Sequence, residues 1–217
     1  MKPTDHLNCP LCDEATIEHF HSDAQRDYFR CPTCLLVFVP PSQQLDLLEQ
    51  KAIYDYHQND IFDKGYRKFL SRLSIPLSER LAPGAKGLDF GCGPGPALSA
   101  MLIEQGFPTA VYDPIYAKHP KTLEGQYDFI SCTEVAEHFT DPGFEFSRLF
   151  SMLNPKGLLG IMTKRVTDKQ SFANWHYKTD PTHVCFFSER TFVWLSERFR
   201  CRVEFIGRDV AILSRLN

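Results

Sequence analysis

Two cysteine pairs are the first residues whose spacing points to chemistry. Cys9-Pro10-Leu11-Cys12 and Cys31-Pro32-Thr33-Cys34 are C-x2-C motifs separated by 18 residues, the spacing of a four-thiolate zinc ribbon. Each motif aims two thiolates at one ion, and two motifs complete a tetrahedral shell. A closed shell leaves no position for a substrate, so the zinc expected on Cys9, Cys12, Cys31 and Cys34 is structural. A segment of about 40 residues has too little core to fold unaided, so the metal would supply much of its folding free energy. Two redox pairs or four unrelated cysteines are the alternative readings, although redox chemistry needs only one pair. His19 and His21 lie between the pairs and could act as substitute ligands.

A second group surrounds a glycine loop. In Asp89-Phe90-Gly91-Cys92-Gly93-Pro94-Gly95 three alternate glycines let the backbone turn sharply and approach a ligand without Cβ interference. No Gly-Lys-Ser/Thr follows, so this is not a P-loop, and the third glycine of G-x-G-x-x-G would fall on Pro96. Asp113 lies 18 residues past Gly95, at the end of an apolar run, where a carboxylate can accept bonds from ribose hydroxyls. A purely structural strand–turn–helix corner is the alternative.

The third group is Glu134, Glu137 and His138, which would share one face of a helical turn. His138 is the preferred general base, with His183 as second candidate, and Glu134 is placed beside the reacting centre. The competing reading has Glu134 capping the turn and His138 packing against Phe139. Joined by His183, the set Glu134, Glu137, His138 and His183 could also hold a second divalent cation, lowering the pKa of an acceptor hydroxyl. Trp175, His176, Tyr177, Asp180, Pro181, His183, Phe186 and Phe187 crowd one segment, suited either to a lid over an organic acceptor or to core packing. Cys92, Cys132, Cys185 and Cys201 show no pairing logic and read as small buried residues.

The elements that must position these groups fall into three regions. Residues 1–40 form the cysteine module, ending in the strand-like run Leu35-Leu36-Val37-Phe38-Val39. Residues 41–83 read as helical, with Phe62, Tyr66, Phe69, Leu70 and Leu73 on one face, an interruption at Pro76, and an end at Pro83-Gly84. From residue 84 to 217 apolar runs alternate with helical patterns, which predicts an α/β fold with a largely parallel sheet. Strands are expected at Gly87–Phe90, Thr109–Tyr112, Tyr127–Cys132 and Leu158–Thr163. Helices are expected over Ala97–Gln105, from Asp141-Pro142, and after Ser188, with two last strands around Gly207-Arg208.

Three motifs in this order carry a family resemblance. Leu88-Asp89-Phe90-Gly91-Cys92-Gly93-Pro94-Gly95 resembles the first motif of class I S-adenosylmethionine-dependent methyltransferases. Tyr127 to His138 is similar to their fourth-strand motif in its ubiquinone-type O-methyltransferase version, and Leu153-Asn154-Pro155-Lys156-Gly157-Leu158 to the turn into their fifth strand. The resemblance implies a Rossmann-like sheet with one antiparallel edge strand and S-adenosylmethionine as cofactor. It places Asp89, Gly91, Cys92, Gly93, Gly95, Asp113, Pro114, Thr133, Glu134 and Tyr66 around that cofactor, the glycines at its methionine portion and Asp113 on its ribose. Similar methyltransferases use tyrosines just before the core domain to close over the cofactor, so Tyr54, Tyr56, His57 and Tyr66 of the 41–83 region either form such a lid or are surface and core residues of the linking helix. Only 14 residues separate Asp113 from Asp128, where family members fit a helix and a third strand, so the adenine contact has no assignment. Glu-x-x-Glu-His with a later His also resembles the metal set of small-RNA 2′-O-methyltransferases. The cysteine pairs are similar to those of zinc-carrying sugar C-methyltransferases. Those proteins have a further large domain with no counterpart in these 217 residues, so a sugar substrate is not implied.

Composition limits the partners. Net charge is −3, and the first 40 residues carry three basic against six acidic side chains. No basic stripe of the kind nucleic-acid binders need is visible. A small-molecule acceptor is therefore expected. An RNA or protein acceptor docked through the ribbon, or a binding module without chemistry, are the competing expectations. No stretch is long and apolar enough for a membrane helix, and Met1 to His6 do not read as a secretory signal. A cytosolic location with reduced thiols is expected.

Overall fold

The computed structural model describes residues 7–56 and 60–216; Met1 to His6, His57 and Asn217 lie outside them. The chain forms two sheets. Strands β1 (Glu18–Ser22), β2 (Asp27–Arg30) and β3 (Val37–Phe38) belong to the cysteine module. The central sheet contains β4 (Gly87–Phe90), β5 (Thr109–Tyr112), β6 (Tyr127–Thr133), β7 (Leu153–Met162), β9 (Cys201–Ile206) and β10 (Val210–Arg215). Between β7 and β9 lies the short β8 (Cys185–Phe186), which pairs with β3 and completes the small sheet in the order β1-β2-β3-β8.

The central order is β5-β4-β6-β7-β10-β9, with β4 to β7 mutually parallel and β10 antiparallel to both β7 and β9. The expected antiparallel edge strand is thus one position in from the edge. The tight turn at Gly207, φ +56°, returns the chain so that β10 occupies the space beside β7 and leaves β9 outermost. At the other edge, the short segment before β6 forms only a 3-10 turn, Pro120–Glu124, so β5 ends the sheet. β7 starts five residues earlier than expected, at Leu153, through an irregularity in its pairing between Tyr127 and Phe129. The run at 35–39 yields only two strand residues, because Leu35 is left-handed (φ +59°) where it closes the second cysteine turn.

Helices α1 (Leu47–Tyr54) and α2 (Lys64–Ser78) precede the sheet. Helices α3 (Ala97–Glu104), α4 (Pro142–Ser151), α5 (Lys169–Ala173) and α6 (Glu189–Arg198) are interleaved with it. Side-chain caps from Asp46, Asp63, Asp141, Asp168 and Ser188 satisfy the first free N–H groups. Pro76 does not end α2; the helix runs through it for two more residues, without the hydrogen bond a Pro76 N–H would have given to Arg72 O. Leu70, Leu73 and Leu77 of α2 pack with Leu98, Met101, Phe129, Met162 and Ile212 on one face of the sheet, while Phe62 stays exposed. On the other face Phe146, Leu149, Phe187 and Phe192 join one continuous cluster with Leu36, Phe38 and the cysteines. Among the described residues no helix is long and apolar enough to cross a membrane.

Candidate functional site

A cavity of ≈ 790 Å³ opens at the C-terminal ends of β4, β5 and β6, the position where open α/β sheets bind ligands. Its floor is the glycine turn. Gly91 and Gly93 are left-handed, φ +76° and +63°, and Gly91 N–H and Cys92 N–H donate to Tyr112 O at 2.7 and 3.2 Å. A Cβ at Gly91 would stand 2.4 Å from Val135 Cγ2, so the turn needs a residue without a side chain. Asp113 faces this floor. One carboxylate oxygen accepts from Gly93 N–H at 3.0 Å, the other from Ile115 and Tyr116 N–H at 2.8 and 2.9 Å. A carboxylate has about four acceptor positions, so three backbone donors leave capacity for a ligand hydroxyl. Ribose is a group this cradle fits.

Most sequence-predicted residues lie on the wall: Tyr66, Gly91, Cys92, Gly93, Asp113, Pro114, Thr133, Glu134, His138 and His183. Asp89 and Gly95 do not. Asp89 points into the sheet, 3% exposed, accepts from Ser131 Oγ at 2.8 Å, and is pushed up to about 6 by burial. The wall also includes Phe69, Ile115 and Tyr116; sequence reasoning gave Phe69 only a helix-face role and did not single out Ile115 or Tyr116. Tyr116 OH donates to Asp55 Oδ1 at 2.7 Å, fastening the end of α1 over the cavity. Tyr54 also reaches the cavity from α1, whereas Tyr56 is exposed.

The expected shared face of Glu134, Glu137 and His138 is not formed. Glu134 is left-handed (φ +52°) and the turn after it is 3-10, Ala136–His138, so the helical spacing does not apply. Glu134 faces the cavity without Glu137, pushed up to about 8 by burial and then by the charge of Glu137. Glu137 is fully buried; Oε1 accepts from Tyr177 OH, while Oε2 lacks a hydrogen-bond partner. Of the four residues expected around a second cation, Glu137, His138 and His183 bring ligand atoms within 4.8 Å of one another, and Glu134 stands outside them.

The two histidines have defined hydrogen-bond partners. His138 Nδ1 lies 3.1 Å from both Thr182 O and Tyr54 OH, and His183 Nδ1 lies 2.7 Å from Tyr177 O. A carbonyl only accepts, so each Nδ1 carries a proton. The rings are 4.8 Å apart. Burial holds His183 below the usual histidine range, which keeps it neutral and able to accept a proton.

The aromatic segment does not form a lid. Tyr177, Phe186 and Phe187 are buried, and of that segment only Asp180 and His183 line the cavity. Tyr177, Phe186 and Phe187 belong to the core cluster that the sheet shares with the cysteine module.

In that module the four sulfurs converge within 4.8 Å, with Cys9 and Cys34 3.5 Å apart and Cys12 and Cys31 3.4 Å apart. A tetrahedron with zinc–sulfur bonds of about 2.3 Å has edges of about 3.8 Å, so the cluster fits the ion closely. Both C-x2-C turns share one geometry. Asp13 and Leu35 are left-handed after the second cysteine, and their N–H groups donate to Cys9 O and Cys31 O at 2.9 and 3.0 Å. The Cys34 thiol beside Cys9 draws it down to about 6, while burial pushes Cys12 up to about 12. Four thiolates cannot ionise together here without a cation among them. His19 and His21 are not part of the cluster.

Comparison with known proteins agrees with this geometry. The family model described as "Methyltransferase domain" matches residues 58–204. No curated protein matches the chain. Among solved structures, Burkholderia thailandensis 1,6-didemethyltoxoflavin-N1-methyltransferase, with 1,6-didemethyltoxoflavin and S-adenosylhomocysteine bound, is 15% identical at a TM-score of 0.54, covering 92% of this chain and all of that one. A SAM-dependent methyltransferase from Archaeoglobus fulgidus is 17% identical at a TM-score of 0.52, over 68% of this chain and 93% of that one. Human N-acetylserotonin methyltransferase in complex with SAM is 11% identical at 0.52, over 68% and 52%. The family match covers about two thirds of the sequence and includes the glycine turn, Asp113 and both histidines. The chain belongs to the methyltransferase-domain family: it is an enzyme with the class I, S-adenosylmethionine-dependent methyltransferase fold.

Proposed function

We propose that the chain moves a methyl group from S-adenosylmethionine to a small organic acceptor. The observation that carries this reading is one cavity with two unlike walls. The Gly91–Gly93 turn and Asp113 suit the donor's ribose and amino-acid portions, and the imidazoles of His138 and His183 suit an acceptor that must lose a proton. Cys92, Pro114, Thr133 and Tyr66 complete the donor side, and Glu134 turns a carboxyl group toward its positive charge. The bound donor contributes an electrophilic methyl group on sulfonium sulfur. The protein's part is alignment, exclusion of water and proton removal. Alignment is the larger contribution, and a base such as His138 or His183 adds about 10²–10⁴-fold. The Burkholderia neighbour, bound to a small heterocycle, and the acidic balance of the first 40 residues favour a small acceptor over RNA.

The zinc assigned to Cys9, Cys12, Cys31 and Cys34 is structural in this reading, since four thiolates fill its shell. The test is calorimetric titration of zinc-loaded protein with S-adenosylhomocysteine. Saturable binding that weakens at least tenfold in Asp113→Ala is expected. No binding by the wild-type protein would remove the proposal.

A further inference from the structure

The cysteine module touches the main domain along a connected path that ends at the two histidines. β3 pairs with β8 through Val37–Phe186 and Phe38–Cys185. Val39 N–H then donates to Val184 O, and Val184 N–H to Glu137 O, at 2.9 and 2.8 Å. A backbone ladder therefore runs from the module to the turn that carries His138.

A side chain reinforces the ladder. Arg26, 7% exposed, sends its guanidinium from the module into the irregular segment after Tyr177. Nη1 donates to Pro181 O and His183 O, each at 3.0 Å, and Nη2 donates to Asp180 O at 2.9 Å and to Lys178 O. Beside it Asp23 Oδ2 accepts from Lys178 Nζ at 2.7 Å and Tyr28 OH at 3.0 Å. The segment so gripped presents Asp180 and His183 to the cavity, and its Thr182 carbonyl accepts a hydrogen bond from His138 Nδ1–H. Irregular backbone normally runs over the surface and satisfies its carbonyls with water. Here one forked cation satisfies four, which a lysine's point charge cannot reproduce.

We propose that the cysteine module is a clamp on the acceptor wall, and that Arg26 is the positioning residue through which it fixes His183 and, by way of Thr182, His138. The proposal rests on the reading of that wall as the acceptor side. The guanidinium hydrogen bonds of Arg26 all go to the 178–183 segment, away from the donor wall made by β4, β5 and the glycine turn.

The experiment compares full-length, zinc-loaded wild type with Arg26→Met and Arg26→Lys by three measurements. These are amide hydrogen exchange, ¹⁵N imidazole NMR of His183, and calorimetry with S-adenosylhomocysteine. In Arg26→Met, exchange of the 178–184 amides should rise at least tenfold and His183 should lose its single Nδ1-protonated tautomer. Amides of 87–93 and S-adenosylhomocysteine affinity should stay within about threefold of wild type. Arg26→Lys should fall between the two, and it carries the same test should Arg26→Met fail to fold. An unchanged tautomer and unchanged 178–184 exchange overturn the proposal, as does a rise that is equal at 87–93. Wild-type protein that does not bind S-adenosylhomocysteine would defeat the cofactor reading alone, leaving the clamp to be judged on exchange and tautomer.

Discussion

Replacing Gly91 with alanine attacks the glycine turn in two separable ways. The new Cβ would lie 2.4 and 2.6 Å from the two γ-carbons of Val135 and 3.1 Å from its Cβ. Because both branches are struck, no χ1 rotation relieves the contact, and Val135 must retreat bodily. Overpacking of this kind costs about 1–3 kcal/mol. The second cost is conformational: at φ +76° an L-residue with a Cβ is disfavoured by roughly 1–2 kcal/mol. Gly91→Ala should therefore lose about 2–5 kcal/mol of stability, read from urea denaturation monitored by circular dichroism. The steric share is recoverable in Gly91→Ala/Val135→Ala and the conformational share is not. A double-mutant cycle should accordingly give a favourable coupling of about 1–3 kcal/mol, with S-adenosylhomocysteine affinity still impaired in the double variant. A coupling near zero would show that the turn does not depend on the close approach of Val135. Full affinity in Gly91→Ala would show that the turn does not shape the donor site.

Three further outcomes are expected. Glu134 is pushed up to about 8, so its carboxylate forms only as pH rises through that value. Affinity for S-adenosylmethionine should increase across pH 7–9 relative to that for S-adenosylhomocysteine, which lacks the sulfonium charge, and Glu134→Gln should abolish the difference in calorimetric titrations. Asp89 is raised by burial from 3.8 to about 6, so its contribution is fully present below the unfolded value and is lost as pH rises through the folded one. Asp89→Asn should remove a decline on the order of 3 kcal/mol between pH 4 and 6, measured by denaturation at each pH; identical pH profiles in the two proteins would contradict this. Metal analysis should find about one zinc per chain, and Cys34→Ser should lower that content and destabilise the protein by several kcal/mol, whereas full zinc content in the variant would refute the four-sulfur site.

The sheet was legible because its signals are local. Gly87–Phe90 and Thr109–Tyr112 read as strands from short apolar runs bounded by glycine and proline, and Asp141, Pro142 and Ser188 announce helix starts by capping chemistry alone. The cysteine spacing was equally direct, since two short turns dictate where their sulfurs point. What failed to show depends on long-range geometry. The turn after Thr133 has helical spacing in sequence, but the left-handed Glu134 breaks it and separates Glu134 from Glu137. Trp175 to Phe187 offered both aromatic rings and polar groups. Which of them reach the cavity is decided by β8 pairing with β3 and by Arg26, partners nearly 150 or more residues away. Ile115 and Tyr116 carry no chemical signature at all; they line the cavity because Asp113 caps their amides.

The most direct test of the account is a crystal structure of the protein with S-adenosylhomocysteine. The ribose hydroxyls should lie on Asp113, the amino-acid portion against the Gly91–Gly93 turn, and the sulfur toward the wall that carries His138 and His183. A ligand seated elsewhere, or one whose ribose makes no contact with Asp113, would contradict it.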